Sequence, residues 1–232
     1  FSEDDYVGCD VSRGLGFAYN AVNFDPGQGG APGYGENVPA IGIDFFEGPY
    51  QDADGIDNVG PHWQIDPVDS SRTYVVPSVA EAIAGKGIVY EGIGIGYSDG
   101  IVDNERFGMR RFNYYNREDK SPSPAMLDPS TAGDYYNYMI GKWRDGSNIV
   151  YGGNGYMGSN GATSVPAAYC FPGDSDPLHW GTDGQDMGWG WSERDSDGSG
   201  TPTEPLGGDR RFLQTAGPFT LTPGAINNLT VG

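Results

Sequence analysis

The fold is decided by a segment that joins an acidic turn to a strand: Asp99-Gly100-Ile101-Val102-Asp103-Asn104-Glu105-Arg106-Phe107-Gly108-Met109-Arg110-Arg111-Phe112. Its first half is a turn signal, because Asp beside Gly or Asn favours tight turns. Its second half opens an aromatic-rich run over residues 107–115 that is typical of a β-strand. The rest of the chain repeats this alternation of turn signals and short strands.

The other strand signals are equally short and are separated by Gly, Pro, Asn and Asp. The clearest are residues 15–19, 40–46, 72–76, 88–95, 211–215 and 226–231. A helix capped by Ser130 or Asp128 is predicted over 132–143, and a shorter one over 78–84. The longer helix has one apolar face, formed by Ala132, Tyr135, Tyr136, Met139, Ile140 and Trp143. The sequence therefore predicts a mainly β fold, a loop-rich β-sandwich-like domain with one or two short helices, as a single domain over residues 1–232.

The composition indicates an ordered chain despite its many turn residues. Gly and Pro number 39 and 17 of 232 residues, a proportion that would suggest disorder if aromatic residues were scarce. They are plentiful, with 15 Tyr, 10 Phe and 5 Trp. A chain of this length can also bury a substantial core. We therefore expect irregular but ordered structure packed on aromatic side chains.

The net charge of the chain indicates which classes of partner it can bind. The formal net charge is -19, which argues against nucleic acids and anionic membrane surfaces, and no apolar run approaches the roughly 20 residues of a membrane span. The expected partners are cations, with no nucleic acid and no membrane insertion. Most of the acidic residues are Asp set beside Gly or Asn, a distribution that favours loops over helices.

Four Asp-rich clusters predict calcium binding, because short carboxylates that converge on a loop form an all-oxygen cage. The predicted ligands are Asp52, Asp54, Asp57, Asp99, Asp103, Glu105, Asp174, Asp176, Asp195 and Asp197. Extracellular sites bind calcium weakly, so at millimolar ion each would add about 1 kcal/mol of stability, a structural contribution. The alternative is that each cluster forms Asx-turns that need no ion.

A catalytic set is not recognised in the sequence. The string Gly96-Tyr97-Ser98-Asp99-Gly100 matches a nucleophile elbow but is not followed by a helix signal, and only His62 and His179 could act as bases. Glycoside hydrolysis is harder to exclude, since it needs only two suitably separated carboxylates. Three tryptophans interleaved with acids would suit a sugar-binding surface or could pack into the core: Trp180, Trp189 and Trp191, with Asp183, Asp186 and Glu193.

Two further features leave alternatives open. Cys9 and Cys170 are either bridged across a long loop or separate buried thiols. The Arg-Arg-Phe repeats at 110–112 and 210–212 place one Arg of each pair outward and one inward. The inward Arg would need a carboxylate partner, and the alternative is that these arginines recognise an anionic glycan.

Six motifs spread over nearly the whole chain resemble a group of large secreted surface proteins of Bacteroidota that are exported by type IX secretion. They are VGCDVSRGLG (7–16), IDFFEGP (43–49), DGIVDNERFGMRRF (99–112), YGGNG (151–155), FPGDSDP (171–177) and DRRFLQTAGPF (209–219). The resemblance implies a secreted, cell-surface location and an internal or processed segment of a longer polypeptide. It implies no catalytic residues.

Together these observations predict a non-catalytic, calcium-stabilised extracellular module with a structural or adhesive role in a bacterial surface protein. Its expected partners are Ca²⁺ and either surface glycans or copies of itself. Two alternatives stay open. One is a carbohydrate-binding or glycan-hydrolysing module, and the other is a self-assembling subunit of a surface layer or filament, joined through exposed Tyr and unpaired strand edges.

Overall fold

The computed structural model describes residues 4–27, 29–58, 62–75, 94–97, 99–117, 123–202 and 207–232. Its strands are β1 (Asp5–Asp10), β2 (Leu15–Asn20), β3 (Ala40–Glu47), β4 (His62–Ile65), β5 (Arg72–Val75), β6 (Arg111–Asn116), β7 (Arg210–Thr215) and β8 (Thr230–Val231). One α-helix, α1 (Ala132–Met139), and two 3-10 turns, Pro124–Met126 and Trp180–Thr182, complete these elements. The predicted fold class, mainly β and loop-rich, is confirmed.

The strands form one four-stranded sheet and two hairpin-sized sheets, all antiparallel. The large sheet has the order β1-β2-β3-β8, and the small ones pair β4 with β5 and β6 with β7. β2 and β6 pack closely, because Gly16 has no side chain: a β-carbon there would lie 2.8 Å from the Phe112 ring. The core lies between the four-stranded sheet and the β6-β7 hairpin, and it continues into region 123–191, which contains α1 and the two 3-10 turns.

Irregular segment 149–156 is fixed by donors from the aromatic core. The Trp191 indole donates to the Gly153 carbonyl at 3.0 Å, and the Trp143 indole donates to the Gly155 carbonyl at 2.9 Å. Between them, the Tyr114 hydroxyl donates to the Asn154 carbonyl at 2.8 Å. All three aromatic side chains are almost fully buried. Three successive carbonyls of a loop are thus satisfied from the core, which explains how so irregular a chain is ordered.

Glu193 joins three strands through a buried ion pair. Its carboxylate accepts from the backbone N–H of Val7 in β1 at 2.8 Å and from Arg210 Nε in β7 at 2.5 Å. Arg210 also donates to Asn116 at the end of β6 and lies 5.6 Å from the centre of the Tyr114 ring. Burial raises the pKa of Glu193, while Arg210 and the Val7 N–H act against that shift.

The predicted inward and outward arginines are confirmed for the second repeat. Arg210 is the inward member and has the expected carboxylate partner, Glu193. Arg211 lies outward and pairs with Asp128 at 2.7 Å.

The helix differs from its prediction. Thr131 is the N-cap, in a capping box with Asp134, and α1 ends at Met139, followed by Gly141 at φ 77°. The predicted apolar face is wrong for the helix itself: Tyr135 and Tyr136 are exposed, and Tyr138 is the buried residue of α1, whereas Trp143 beyond its end is buried as predicted. The physical reason is that the Tyr138 hydroxyl donates to two backbone carbonyls, those of Ala125 and Leu127, and so anchors the opposite face.

Other element predictions meet different outcomes. Of the predicted strand over 226–231, only Thr230 and Val231 form a strand, β8. Before it, the Asn227 side chain forms two hydrogen bonds with the Tyr50 backbone, and this segment does not pair as a strand. The predicted helix over 78–84 lies outside the described residues, as do positions 88–93 of the predicted strand 88–95.

Replacing Glu193 by Gln should strongly destabilise the fold. The change leaves Arg210 as a buried cation without a charged partner, and breaking a buried pair from one side costs about 3 kcal/mol or more. Urea denaturation would measure the free energy of unfolding. The matched control is Asp128→Asn, which breaks the exposed pair with Arg211 and should cost less than about 1 kcal/mol. Equal losses in the two variants would contradict the role of Glu193.

Asp5 should make stability depend on pH. Its Oδ1 atom is buried without a hydrogen-bond partner, and burial followed by the charges of Asp4, Asp209 and Glu193 raises its pKa to about 6. Because this value lies above the ordinary 3.8, Asp5 stabilises the fold when protonated, and that stability is lost as pH rises through about 6.

The variant Asp5→Asn, whose amide resembles the protonated acid, should therefore be more stable than the unmodified chain above pH 6. The expected gain is about 1 kcal/mol, reduced from the full shift because the surroundings are partly solvated. It should vanish below about pH 4. Urea titrations across this pH range provide the measurement, and a gain independent of pH would refute the assignment.

Candidate functional site

Two of the predicted acidic clusters lie side by side, and we call them loop A (residues 51–58) and loop B (residues 99–105). Residues that flank the two loops form isolated antiparallel β-bridges: Arg106, which follows loop B, pairs with Tyr50, which precedes loop A, and with Ile95. The Gln51 N–H also donates to the Glu105 carbonyl at 3.0 Å. Clusters almost fifty residues apart in sequence thus form one site.

Arg106 anchors the base of both loops. Its side chain is almost fully buried, and it donates to the carbonyls of Gly48 and Asn228, both at 2.6 Å. It lies 3.4 Å from a Glu47 carboxylate oxygen and 4.4 Å from the centre of the Tyr50 ring. One cation therefore connects the acidic loops to the end of β3 and to the segment before β8.

The loops hold each other through carboxylate to backbone hydrogen bonds. Asp103 Oδ1 of loop B accepts from the N–H groups of Asp54 and Gly55 at 2.7 and 2.8 Å. In return, Asp57 Oδ2 of loop A accepts from the Gly100 N–H at 2.7 Å. Glu105, which is buried, accepts from the Asn58 N–H. The resulting contact orders two loops that have no regular secondary structure.

Two oxygen atoms in this site have no donor among the described residues. Asp57 Oδ1 in loop A and Asn104 Oδ1 in loop B are inaccessible to solvent, and no described group donates to either. A buried acceptor without a donor costs about 1–3 kcal/mol. The site is therefore short of positive charge or hydrogen-bond donors.

The predicted alternative, Asx-turns, is widely realised. In the part of the chain that the structure describes, eight Asp side chains accept from the N–H two residues further on: Asp25, Asp54, Asp66, Asp69, Asp99, Asp145, Asp186 and Asp197. These bonds explain most of the excess of Asp over Glu without any ion.

The remaining predicted ligands have other partners or positions, including Asp52 within loop A. Asp52 binds the Thr220 backbone and hydroxyl, and these hydrogen bonds lower its pKa. Asp195 and Asp197 belong to a turn over residues 192–200, where the Gly200 N–H donates to Asp195. Asp174 and Asp176 line a separate cleft. The ten side chains thus do not converge, and among the described residues no three Asp, Glu, His or Cys side chains form a group that could hold a metal ion.

Of the two alternatives for the cysteines, separate buried thiols are found. Cys9 and Cys170 are free, buried thiols, and Cys9 Sγ lies 3.5 Å from the Cys170 carbonyl oxygen. Burial raises the pKa of both thiols, which disfavours the reactive thiolate. Of the elbow string, Ser98 lies outside the described residues. His179 is half-buried, with its Nε2 atom 3.8 Å from Asp186.

The tryptophan-rich stretch packs mainly inward. Trp191 is fully buried, while Trp180 and Trp189 are partly buried against the core. Glu193, which follows them, is held by Arg210. The three indoles therefore do not form an open platform for stacking sugar rings.

Comparisons with protein-family models, with curated proteins and with solved structures find no match to this chain. The resemblance to secreted surface proteins therefore stays a prediction. No helix in the described part of the chain combines the length and the apolar character that a membrane span requires.

The thiols of Cys9 and Cys170 should not react with alkylating reagents until the chain unfolds. Because both are buried and their pKa values are raised, iodoacetamide at neutral pH should label neither in the native protein. In denaturant without reductant, mass spectrometry should find two added groups. Labelling of the native protein, or no labelling after denaturation because of a disulfide, would contradict this arrangement.

Proposed function

We propose that the chain is a non-catalytic structural module of an extracellular surface protein, in which calcium locks loop A against loop B. The observation that carries the proposal is that each loop holds a buried acceptor without a donor, Asp57 Oδ1 in loop A and Asn104 Oδ1 in loop B. A cation bound at such an atom would replace the missing donor.

The chemistry of the loops suits calcium better than a softer metal. Calcium takes six to eight oxygen ligands, which include carboxylates, amide carbonyls and water. Loops A and B offer carboxylate and amide oxygens, and they contain neither Cys nor His. The two buried oxygens would form part of such a shell, and water and neighbouring oxygens would complete it.

The non-catalytic part of the proposal is supported by how the reactive groups are used. Glu193 and Arg210 join strands, and the two thiols are packed in the core. Eight described Asp side chains hold Asx-turns. The surface location is supported by the six motifs that resemble secreted proteins of Bacteroidota.

Calcium should raise the melting temperature. Mass action at a weak site gives about 1 kcal/mol at millimolar ion, which corresponds to about 2–4 °C for a chain of this size. Differential scanning calorimetry in excess chelator and in millimolar calcium would measure the shift.

Two variants localise the effect. Asp57→Asn keeps an acceptor for the Gly100 N–H but removes the charge, so the calcium-dependent shift should disappear. Asp197→Asn changes the net charge equally in a turn outside loops A and B, and its shift should be retained. Identical melting with and without calcium, or a shift that survives Asp57→Asn, would disprove the proposal.

A further inference from the structure

A surface cleft of about 400 Å³ is lined by Tyr151 and by residues within 172–190. This volume is within the range of small-molecule sites, about 300–1,000 Å³. The lining side chains that matter for its chemistry are Tyr151, Asp174, Asp176, His179, Asp186 and Trp189. The cleft shares no residue with loops A and B, so its chemistry is independent of calcium binding there.

Hydrogen bonds within the protein hold the walls of the cleft in place. The Gly173 N–H donates to the Trp191 carbonyl at 2.8 Å and connects the two lining segments. The Tyr151 hydroxyl donates to the Trp189 carbonyl at 2.5 Å and accepts from the Trp191 N–H at 2.9 Å. The cleft is therefore preorganised, which lowers the entropic cost of binding.

Three carboxylates act on this cleft. Asp176 accepts from the N–H groups of Trp180 and Gly181 at 2.9 and 2.7 Å. Asp186 accepts from the Gly188 N–H at 2.7 Å. Asp174 is exposed and, among the described residues, has no side-chain hydrogen bond or ion pair. The described lining contains no Lys or Arg; the side chain in it that can carry positive charge is His179, whose Nε2 atom lies 3.8 Å from Asp186.

Tyr151 lines the same cleft as these three carboxylates. Burial raises its pKa, and the negative charges of Asp176, Asp174 and Asp186 raise it further, against the Trp191 N–H that lowers it.

We propose that this cleft binds an organic cation of the alkylammonium or alkylguanidinium class. The carboxylates of Asp174 and Asp186 supply the charge, and Trp189 and Tyr151, which also line the cleft, supply aromatic surface beside them. A neutral sugar would leave the charge of Asp174 without a partner, whereas a hard metal ion would gain nothing from the aromatic rings. The net charge of -19 also attracts cations to the surface.

Such a group belongs either to a free polyamine or to a Lys or Arg side chain of a partner. Calorimetric titration with agmatine tests the shared chemistry, and titration with a short peptide whose single charged side chain is Arg distinguishes the second source. The matched peptide with citrulline in place of Arg keeps the shape and loses the charge. Agmatine should bind, the Arg peptide should bind if side chains are the source, and added salt should weaken binding.

Variants assign the binding to the cleft. Asp174→Asn should weaken agmatine binding about fivefold, equivalent to about 1 kcal/mol, and should fold normally because Asp174 makes no hydrogen bond. Glu36→Gln removes the same charge from an exposed position outside the cleft and should change affinity less than twofold. Equal weakening by both variants, equal binding of the citrulline peptide, or binding of neutral oligosaccharides with no response to agmatine would overturn the proposal.

Discussion

The buried ion pair of Glu193 and Arg210 is the interaction on which the architecture depends. It connects β1, β6 and β7 in a protein that is strongly acidic overall, and it removes one of the few basic side chains from the surface. A buried pair of this kind contributes little net stability compared with apolar packing, but it imposes one relative arrangement of its strands. The core aromatic residues then fill the space that this arrangement defines.

The same scarcity of positive charge governs the acidic loops. With only 13 Lys and Arg against 32 Asp and Glu, most carboxylates have to find backbone N–H groups as partners. Asx-turns supply these donors locally, and the contact between loops A and B supplies them across the chain. Where this supply fails, at Asp57 and Asn104, we propose an external cation as the partner.

Sequence reasoning located β2, β3 and β7 because their short apolar runs lie between clear turn signals. It missed β1, whose residues are buried on both faces and include Asp5, so that no alternating pattern is visible. It identified the acidic clusters but not which of them meet, since the pairing of Tyr50 with Arg106 is a long-range backbone contact. A buried oxygen without a donor depends on three-dimensional packing and leaves no mark in a single sequence.

The segment 149–156 shows how an irregular loop can have a fixed length. Its carbonyls at Gly153, Asn154 and Gly155 are spaced to receive three separate side chains from the interior. One inserted residue would shift these carbonyls out of register with their donors. A buried indole N–H or phenol O–H would then lack a hydrogen-bond acceptor. Most surface loops accommodate insertions, but we expect this segment to keep the same number of residues in any variant of the chain that folds.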